Sequence, residues 1–519
     1  MGCKSEDHSP SPSSPQSPAN TNAMSTSSLE EKPTNVLTFA PNDKADPRNW
    51  SNQKKWLIAG ISLLGTFILP LNGTSITIAV AQITAEFNVL DTAHFTNSYW
   101  IVTSWSIGGA VFVIFFLSLL EDIGVRIGYH AFYFFFLMMM IPQAVAPNFA
   151  TLVITRFFSG GCVALLANTI ASIIPDLWDN EEERSLPVSL YIILYVAGST
   201  AGPVIFAGIV EATNNWRWVF YAQLIIYCAF FPFFLYFIKE TRGHVILRRR
   251  AKKLRKAGKQ IWTREEIDAQ PLLTTVWTSI TRPLYLLLTE PVLAASTLWS
   301  AFAFGTVFFF TQSVEQVFKS LYGWTAYQCG YVQAAVVIGE VVGWMISQYG
   351  TKLYLQSAKR NKECPGTPIP EARLYVAIPG SLFGIAGGMF VYAWTSYPNY
   401  PWIAPAIGLC MVGLGIQIVV SAVADYITDA YAKSGYAGSA ISAVAMGENI
   451  VAGFLPLAEA STYTNLGFQW ASTLLACLGL LVTLAPVVFV LYGPKLRENS
   501  PFMQSGGALK EEAEPSTSA

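Results

Sequence analysis

Charge is what this chain has least of. Only 13% of its 519 residues are Asp, Glu, Lys or Arg, against roughly a quarter in soluble globular proteins. So low a charge density excludes an ordinary soluble protein, and a formal net charge of −1 gives no basic footprint for nucleic acid. Histidine is scarce as well. His8, His94, His130 and His244 show neither H-E-x-x-H nor any other ligand spacing, and no G-x-x-x-x-G-K-[ST] stretch occurs, which argues against a zinc enzyme and a nucleotide-driven pump. The seven cysteines are scattered, form no C-x-x-C and lie mostly in apolar runs. They read as small packing residues, not as a disulfide frame or metal site. No cofactor and no enzymatic activity is expected.

What the chain has instead is apolar length. Fully 52% of it is apolar and 14% aromatic, with a mean hydropathy of +0.40. From Trp56 onward long apolar runs alternate with short polar breaks, near 56–80, 99–120, 128–146, 150–174, 187–209, 217–238, 291–312, 328–350, 373–394, 401–424, 437–460 and 468–492. Each is long enough to cross a hydrocarbon core about 30 Å thick. Residues 241–290 hold Arg248, Arg249, Arg250, Lys252, Lys253, Arg255 and Lys256 and split the runs six and six. The reading is an all-α membrane protein of twelve transmembrane helices in two six-helix bundles, 51–240 and 291–493, joined by a basic linker. Residues 1–50, rich in Ser and Pro, and residues 494–519 read as disordered tails.

Counting Lys and Arg orients the chain. With the N-terminus inside, all of them except Arg156, Arg217 and Lys319 fall on cytoplasmic segments, so both termini are expected in the cytoplasm. The linker reads as an inward-facing amphipathic helix with anionic membrane lipid as an additional contact.

Five stretches stand in order over roughly residues 45–500: Asp46-Pro47-Arg48-Asn49-Trp50-Ser51, Asn215-Trp216-Arg217-Trp218-Val219-Phe220, Lys239-Glu240-Thr241-Arg242, Pro370-Glu371-Ala372-Arg373-Leu374, and Asp425-Tyr426 through Asp429-Ala430-Tyr431. Together they resemble the major facilitator superfamily, and within it the fungal drug:proton antiporter family with twelve spans. The superfamily's signature between spans 2 and 3 is partly kept: Glu121, Gly124 and Arg126 match, while Leu117, Asp122 and Val125 depart from it. By the resemblance this loop latches span 2 to the other bundle. The span-4 signature reads Arg156-Phe157-Phe158-Ser159-Gly160. The antiporter signature of span 5 reads Gly198-Ser199-Thr200-Ala201-Gly202-Pro203, with Phe206 and Ala207 where the family carries glycines. Gly198 and Gly202 share a face that allows close helix approach, and Pro203 permits a bend.

Ionisable groups at membrane depth mark functional positions. Arg156 lies about five residues into span 4, Glu340 about a dozen into span 8 and Glu448 about eleven into span 11, so at 1.5 Å per residue the two acids come near mid-depth. Burial favours an uncharged carboxyl over a carboxylate, which makes Glu340 and Glu448 candidates for one proton or substrate site. Asp425, Asp429, Glu211 and Glu290 are expected at span ends, in water. Pro70, Asn72, Gly73, Thr74 and Ser75 interrupt span 1, an irregularity of the kind that lines cavities. Asn72, Asn168, Gln333, Gln417 and Asn449 supply amides, and Tyr191, Tyr195, Phe308 and Trp344 rings. Such a chamber suits a flat or amphipathic molecule better than a sugar.

The expectation is a monomeric plasma-membrane exporter of drugs or secondary metabolites, working by proton antiport and alternating access. Its partners would be a small-molecule substrate, protons and membrane lipid. The rival readings are a proton-coupled uptake symporter or uniporter, a nutrient sensor on the same fold, and a vacuolar location.

Overall fold

The computed structural model describes residues 36–92, 96–267, 272–361, 366–432 and 434–504. Among them, twelve helices are long and apolar enough to cross a membrane. In order, spans 1 to 12 are Asn52–Phe87, Asn97–Leu117, Val125–Ala144, Phe149–Leu177, Glu182–Thr213, Arg217–Phe237, Pro291–Tyr322, Ala326–Arg360, Pro370–Thr395, Ile403–Tyr431, Ala437–Leu466 and Phe468–Asn499. They form the two six-helix bundles read from the hydropathy. Most run several residues beyond the apolar stretch that announced them; span 7 continues ten residues past the expected end, through Gln312, Ser313 and Glu315 to Tyr322.

Glycine sets the closest helix contacts, and at equivalent places in the two halves. A Cβ on Gly108 of span 2 would stand 1.9 Å from the Phe157 carbonyl oxygen of span 4. On Gly339 of span 8 it would stand 1.9 Å from the Cys410 carbonyl oxygen of span 10. Backbones this close gain dispersion contact that no larger residue would permit, the main source of helix adhesion where lipid cancels the hydrophobic effect.

Span 1 departs from a regular helix between Leu69 and Val80, as its Pro70-Leu71-Asn72-Gly73 stretch predicts, and resumes as Val80–Phe87. Span 9 holds a π-helical turn over Gly380–Ala386, beside Gly415 of span 10.

One end of the bundles is tied by charge. Span 3 begins at Gly124, whose φ of +107° favours glycine. There Glu240, at the end of span 6, accepts from the Val125 backbone N–H at 3.1 Å and pairs with Arg249 at 3.3 Å. A carboxylate on a helix N-terminus satisfies an orphan donor and the helix dipole together. In the second half the polarity is exchanged: Glu371 opens span 9 and Arg497, at the end of span 12, pairs with it. Arg242 pairs with Asp176 of span 4 at 3.4 Å, and Arg373 with Asp425 and Asp429 of span 10 at 3.3 and 3.0 Å, its guanidinium over the Tyr354 ring.

The linker supplies an amphipathic helix, Gly243–Lys256, and a second helix, Leu272–Thr289, that lies against spans 2 and 11. Within the expected N-terminal tail, residues 36–50 are ordered. Leu37 donates to the Trp262 carbonyl at 2.8 Å, Asp43 pairs with Arg250 at 2.5 Å, and Asp46 caps the turn Pro47–Asn49. The end of the expected C-terminal tail is likewise partly placed, since span 12 continues to Asn499 and Ser500 binds Glu290. The rest of both tails, residues 1–35 and 505–519, lies outside the described residues.

Candidate functional site: a one-sided cavity between the bundles

A cavity of about 410 Å³ lies between the halves, walled by spans 4 and 5 on one side and spans 8, 10 and 11 on the other. Its mouth, at the end that carries the linker, holds Arg184 across from Arg373, Asp425 and Asp429. Its walls are mainly aliphatic, with Ile174, Val188, Ile192, Ile418 and Val444 prominent. At its head stand Tyr191, Tyr195, Asn168, Asn449 and Glu448. The sequence expectation of an apolar chamber with few polar anchors is met, although aliphatic side chains outnumber rings.

The rings form a roof instead. Tyr191 stacks on Tyr195 at 6.3 Å between centroids, Tyr195 on Phe304 at 5.9 Å, Phe304 meets Phe308 at 5.6 Å, and Phe308 meets Trp105 at 6.2 Å. This chain of rings crosses from span 5 to span 7 and back to span 2. Trp344 sits lower on the seam, donating from its indole to the Ser189 hydroxyl of span 5 at 3.3 Å.

Beyond the roof the seam is closed. The Thr103 hydroxyl donates to the Gly453 carbonyl at 2.8 Å and the Thr96 backbone N–H to the Leu457 carbonyl at 3.1 Å, both between spans 2 and 11. Gly330 of span 8 lies so near Ala207 and Pro203 of span 5 that a Cβ would meet them at 2.9 and 3.1 Å.

The two candidate acids are not brought together. Glu448 lines the cavity and accepts from the Ser300 hydroxyl of span 7 at 2.5 Å. Glu340 is fully buried at the seam, accepting from the Thr200 hydroxyl of span 5 at 2.6 Å, and its second oxygen has no partner. Thr200 follows Tyr195 by five residues, about 7.5 Å along a helix, so Glu340 sits deeper than the cavity's head. The sequence argument located both on the bundle interface; it had no means to fix their rotation and offset.

Arg156 is not a cavity residue. It is completely buried and donates to three backbone carbonyls, Ile101 at 2.5 Å, Asn72 at 3.1 Å and Gly73 at 2.7 Å. The interruption of span 1 thus presents carbonyls that a guanidinium fork collects. Asn72 belongs to the same interior network: its amide donates to Gln223 at 2.9 Å and its oxygen accepts from the Trp105 indole at 3.0 Å. Gln333 donates to the Thr311 carbonyl at 3.2 Å and Gln417 to Ser421 at 3.0 Å, and neither is among the cavity-lining residues. Of the five amides proposed for the cavity, Asn168 and Asn449 line it.

Gly198 and Gly202 pack on span 1, where Cβ atoms would meet the Phe67 carbonyl oxygen at 2.4 Å and Thr74 Oγ1 at 2.5 Å. Gly124 forms the latch with Glu240, a partner the loop signature alone did not announce. Arg126 is exposed, and the side chain of Glu121 lies outside the described residues. Glu290, expected in water, is 3% exposed and held by Ser500 at 2.8 Å and Tyr431 at 3.4 Å.

Two helical bundles around a central cavity open at one end define a multi-pass membrane transporter. The family model for the Major Facilitator Superfamily matches residues 62–438, and the chain belongs to that family. Fungal transporters are among its relatives. The MFS transporter cpaT of Aspergillus oryzae is 32% identical over 480 residues, covering 90% of this chain and 92% of that protein. The efflux pump radE of Floropilus chiversii is 28% identical, with 91% and 87% covered, and the efflux pump atB of Aspergillus terreus 30% identical, with 77% and 84% covered. Among solved structures, the proton:xylose symporter XylE superposes with a TM-score of 0.61 at 16% identity, over 85% of this chain and 97% of that one. At that identity the likeness extends to the fold alone.

Proposed function

We propose that this transporter exports amphipathic small molecules, drugs or secondary metabolites, in exchange for protons. The observation that carries the reading is the cavity: largely aliphatic, roofed by aromatic rings, with its mouth at the linker end and one carboxyl group, Glu448, at its head. The distribution of Lys and Arg supports a cytoplasmic linker end and cytoplasmic termini, so the cavity would load from the cytoplasm. The efflux pumps among its relatives support the outward direction. Glu448 carries or releases a proton as substrate leaves or enters, which biases the protein between its two open states. Glu340 acts at the seam and Arg156 holds the span-1 interruption that walls the first bundle. A monomer in the plasma membrane, with exposed Lys252, Lys253 and Lys256 against anionic headgroups, completes the reading; the vacuolar membrane would preserve the same topology.

The test is flux in proteoliposomes with an imposed pH gradient, using cationic, neutral and anionic amphiphiles and comparing the wild type with Glu448→Gln. Compound movement opposite to protons, lost in the variant, supports antiport through Glu448. Movement in the same direction as protons makes the protein a symporter, and movement indifferent to the gradient removes Glu448 from coupling.

A further inference from the structure

The closed end of the seam holds a second pair of acids, on the far side of the aromatic roof from the cavity. Glu459, after the turn Leu455–Ala458 in span 11, is 0% exposed, and neither of its carboxyl oxygens has a hydrogen-bond partner. Glu315, in the last part of span 7, is its charged neighbour and is part-buried. From the first bundle the start of span 2 faces them: Tyr99, 3% exposed, has both carboxyls as its charged neighbours, and its hydroxyl lies against the Thr311 side chain of span 7. Thr96 Oγ1 on the same segment and Gln312 Oε1, one turn before Glu315, are also buried without partners. Among the described residues, the other titratable or charged groups around the pair are Lys319 beside Glu315, Cys329 of span 8, Tyr392 of span 9 and Tyr463 of span 11.

Three buried side chains with partnerless polar atoms in one place, Glu459, Thr96 and Gln312, is a high density, because an unmade buried hydrogen bond is costly. An ionised carboxylate would be costlier still: among the described residues no cation pairs with Glu459, and two carboxylates sharing a site cannot both ionise cheaply. A proton removes the charge and turns an acceptor into a donor, which an orphaned amide or hydroxyl oxygen requires. The pair also sits where the halves close, beside the Thr96–Leu457 backbone bond.

We propose that Glu315 and Glu459 form a proton-accepting site at the closed seam, separate from the cavity, which loads from the face opposite the linker and holds the seam shut once loaded. When the seam parts, water reaches both carboxyls and they release or take up a proton according to the pH of that side. When it closes, only the protonated pair is buried at low cost. The cavity acid and this pair are then addressed from opposite faces of the same protein.

The experiment places spin labels at Leu90→Cys and Leu466→Cys, exposed positions on the first and second halves at that face, in an otherwise cysteine-free transporter. The distance distribution is followed as pH rises. Leaving a buried carboxylate unpaired is expected to raise the ratio of parted to closed seam roughly tenfold or more across the transition. In the Glu315→Gln/Glu459→Gln double variant this transition is lost, and in Glu211→Gln, an exposed carboxyl at the end of span 5 outside the site, the wild-type profile persists. A flat wild-type profile, an unchanged profile in the double variant, or its loss in Glu211→Gln overturns the proposal. A shift driven by sodium but not by choline at fixed pH replaces the proton by a metal cation and overturns it too. Should the double variant fail to fold, infrared difference spectra of the wild type and each single Gln variant report the same site. A protonated-carboxyl stretch lost on raising the pH, and missing from the Glu459→Gln spectrum, supports the assignment, and its presence there overturns it.

Discussion

Thr200 of span 5 donates its hydroxyl hydrogen to Glu340 of span 8 at 2.6 Å, joining the two halves through a bond buried from water and lipid alike. It belongs to the closed part of the seam, so it exists in one of the transporter's open states and must break in the other.

The Thr200→Val variant keeps the side-chain volume and removes that donor. A buried acceptor deprived of its partner costs about 1–3 kcal/mol, so the balance should move roughly five- to hundredfold away from the state described here. Spin-label distances across the seam measure this, and a shift of less than about twofold would show that the bond contributes nothing to the balance.

The Arg156→Lys variant should lower thermal stability while leaving substrate affinity nearly unchanged. Lysine cannot reach three carbonyls with one fork, and each acceptor left bare costs about 1–3 kcal/mol. Melting temperature and ligand affinity of the purified protein separate the two effects. A large loss of affinity without loss of stability would place Arg156 in substrate binding.

Gly124→Ala combines two penalties, a φ of +107° and a Cβ 2.4 Å from Glu240 Oε2. Strain in that backbone region alone costs about 1–3 kcal/mol. The variant should loosen the start of span 3, visible as faster hydrogen exchange at Val125 and its neighbours. Glu240→Gln, which keeps the shape, should loosen it less.

Acid should free the linker before it unfolds the bundles. The Glu266 carboxyl is held below its usual range by hydrogen bonds from Arg255, and Asp43 below its own by the Ala45 backbone N–H and by Arg250. Groups with lowered folded values contribute stability above their unfolded values and lose it as pH falls through the folded ones. Hydrogen exchange over 36–50 and 255–266 should therefore quicken below about pH 4, the ordinary carboxylate range. Equal protection at pH 4 and pH 7 would contradict it.

Twelve spans, their six-and-six division and the interfacial place of Glu448 were legible in the sequence because hydropathy and charge counting report on lipid and water, which act on each helix separately. The seam was not. Glu315 and Glu459 stand at the polar edge of their runs, where hydropathy marks a helix as leaving the membrane. Their burial comes from neighbouring helices, spans 8 and 9 of their own half and the start of span 2 across the seam, which no window along one helix senses. Arg156 and Asn72 were legible as out of place in lipid, but their partners are the Ile101 and Gly73 carbonyls and the side chain of Gln223. Backbone acceptors freed by an irregular turn leave no mark in residue types, so residues read as facing a cavity turned out to brace its wall.

Every ion pair described here closes within one half or onto the linker and the segment before span 1, whereas the seam is joined by apolar packing and by uncharged or singly charged hydrogen bonds, Thr103 to Gly453 and Thr200 to Glu340 among them. In mechanical terms the halves are stiff plates and the joint between them is compliant. Chimaeras that graft one half of a relative onto the other half of this chain should therefore inherit intact latches and need re-fitting along a narrow strip only.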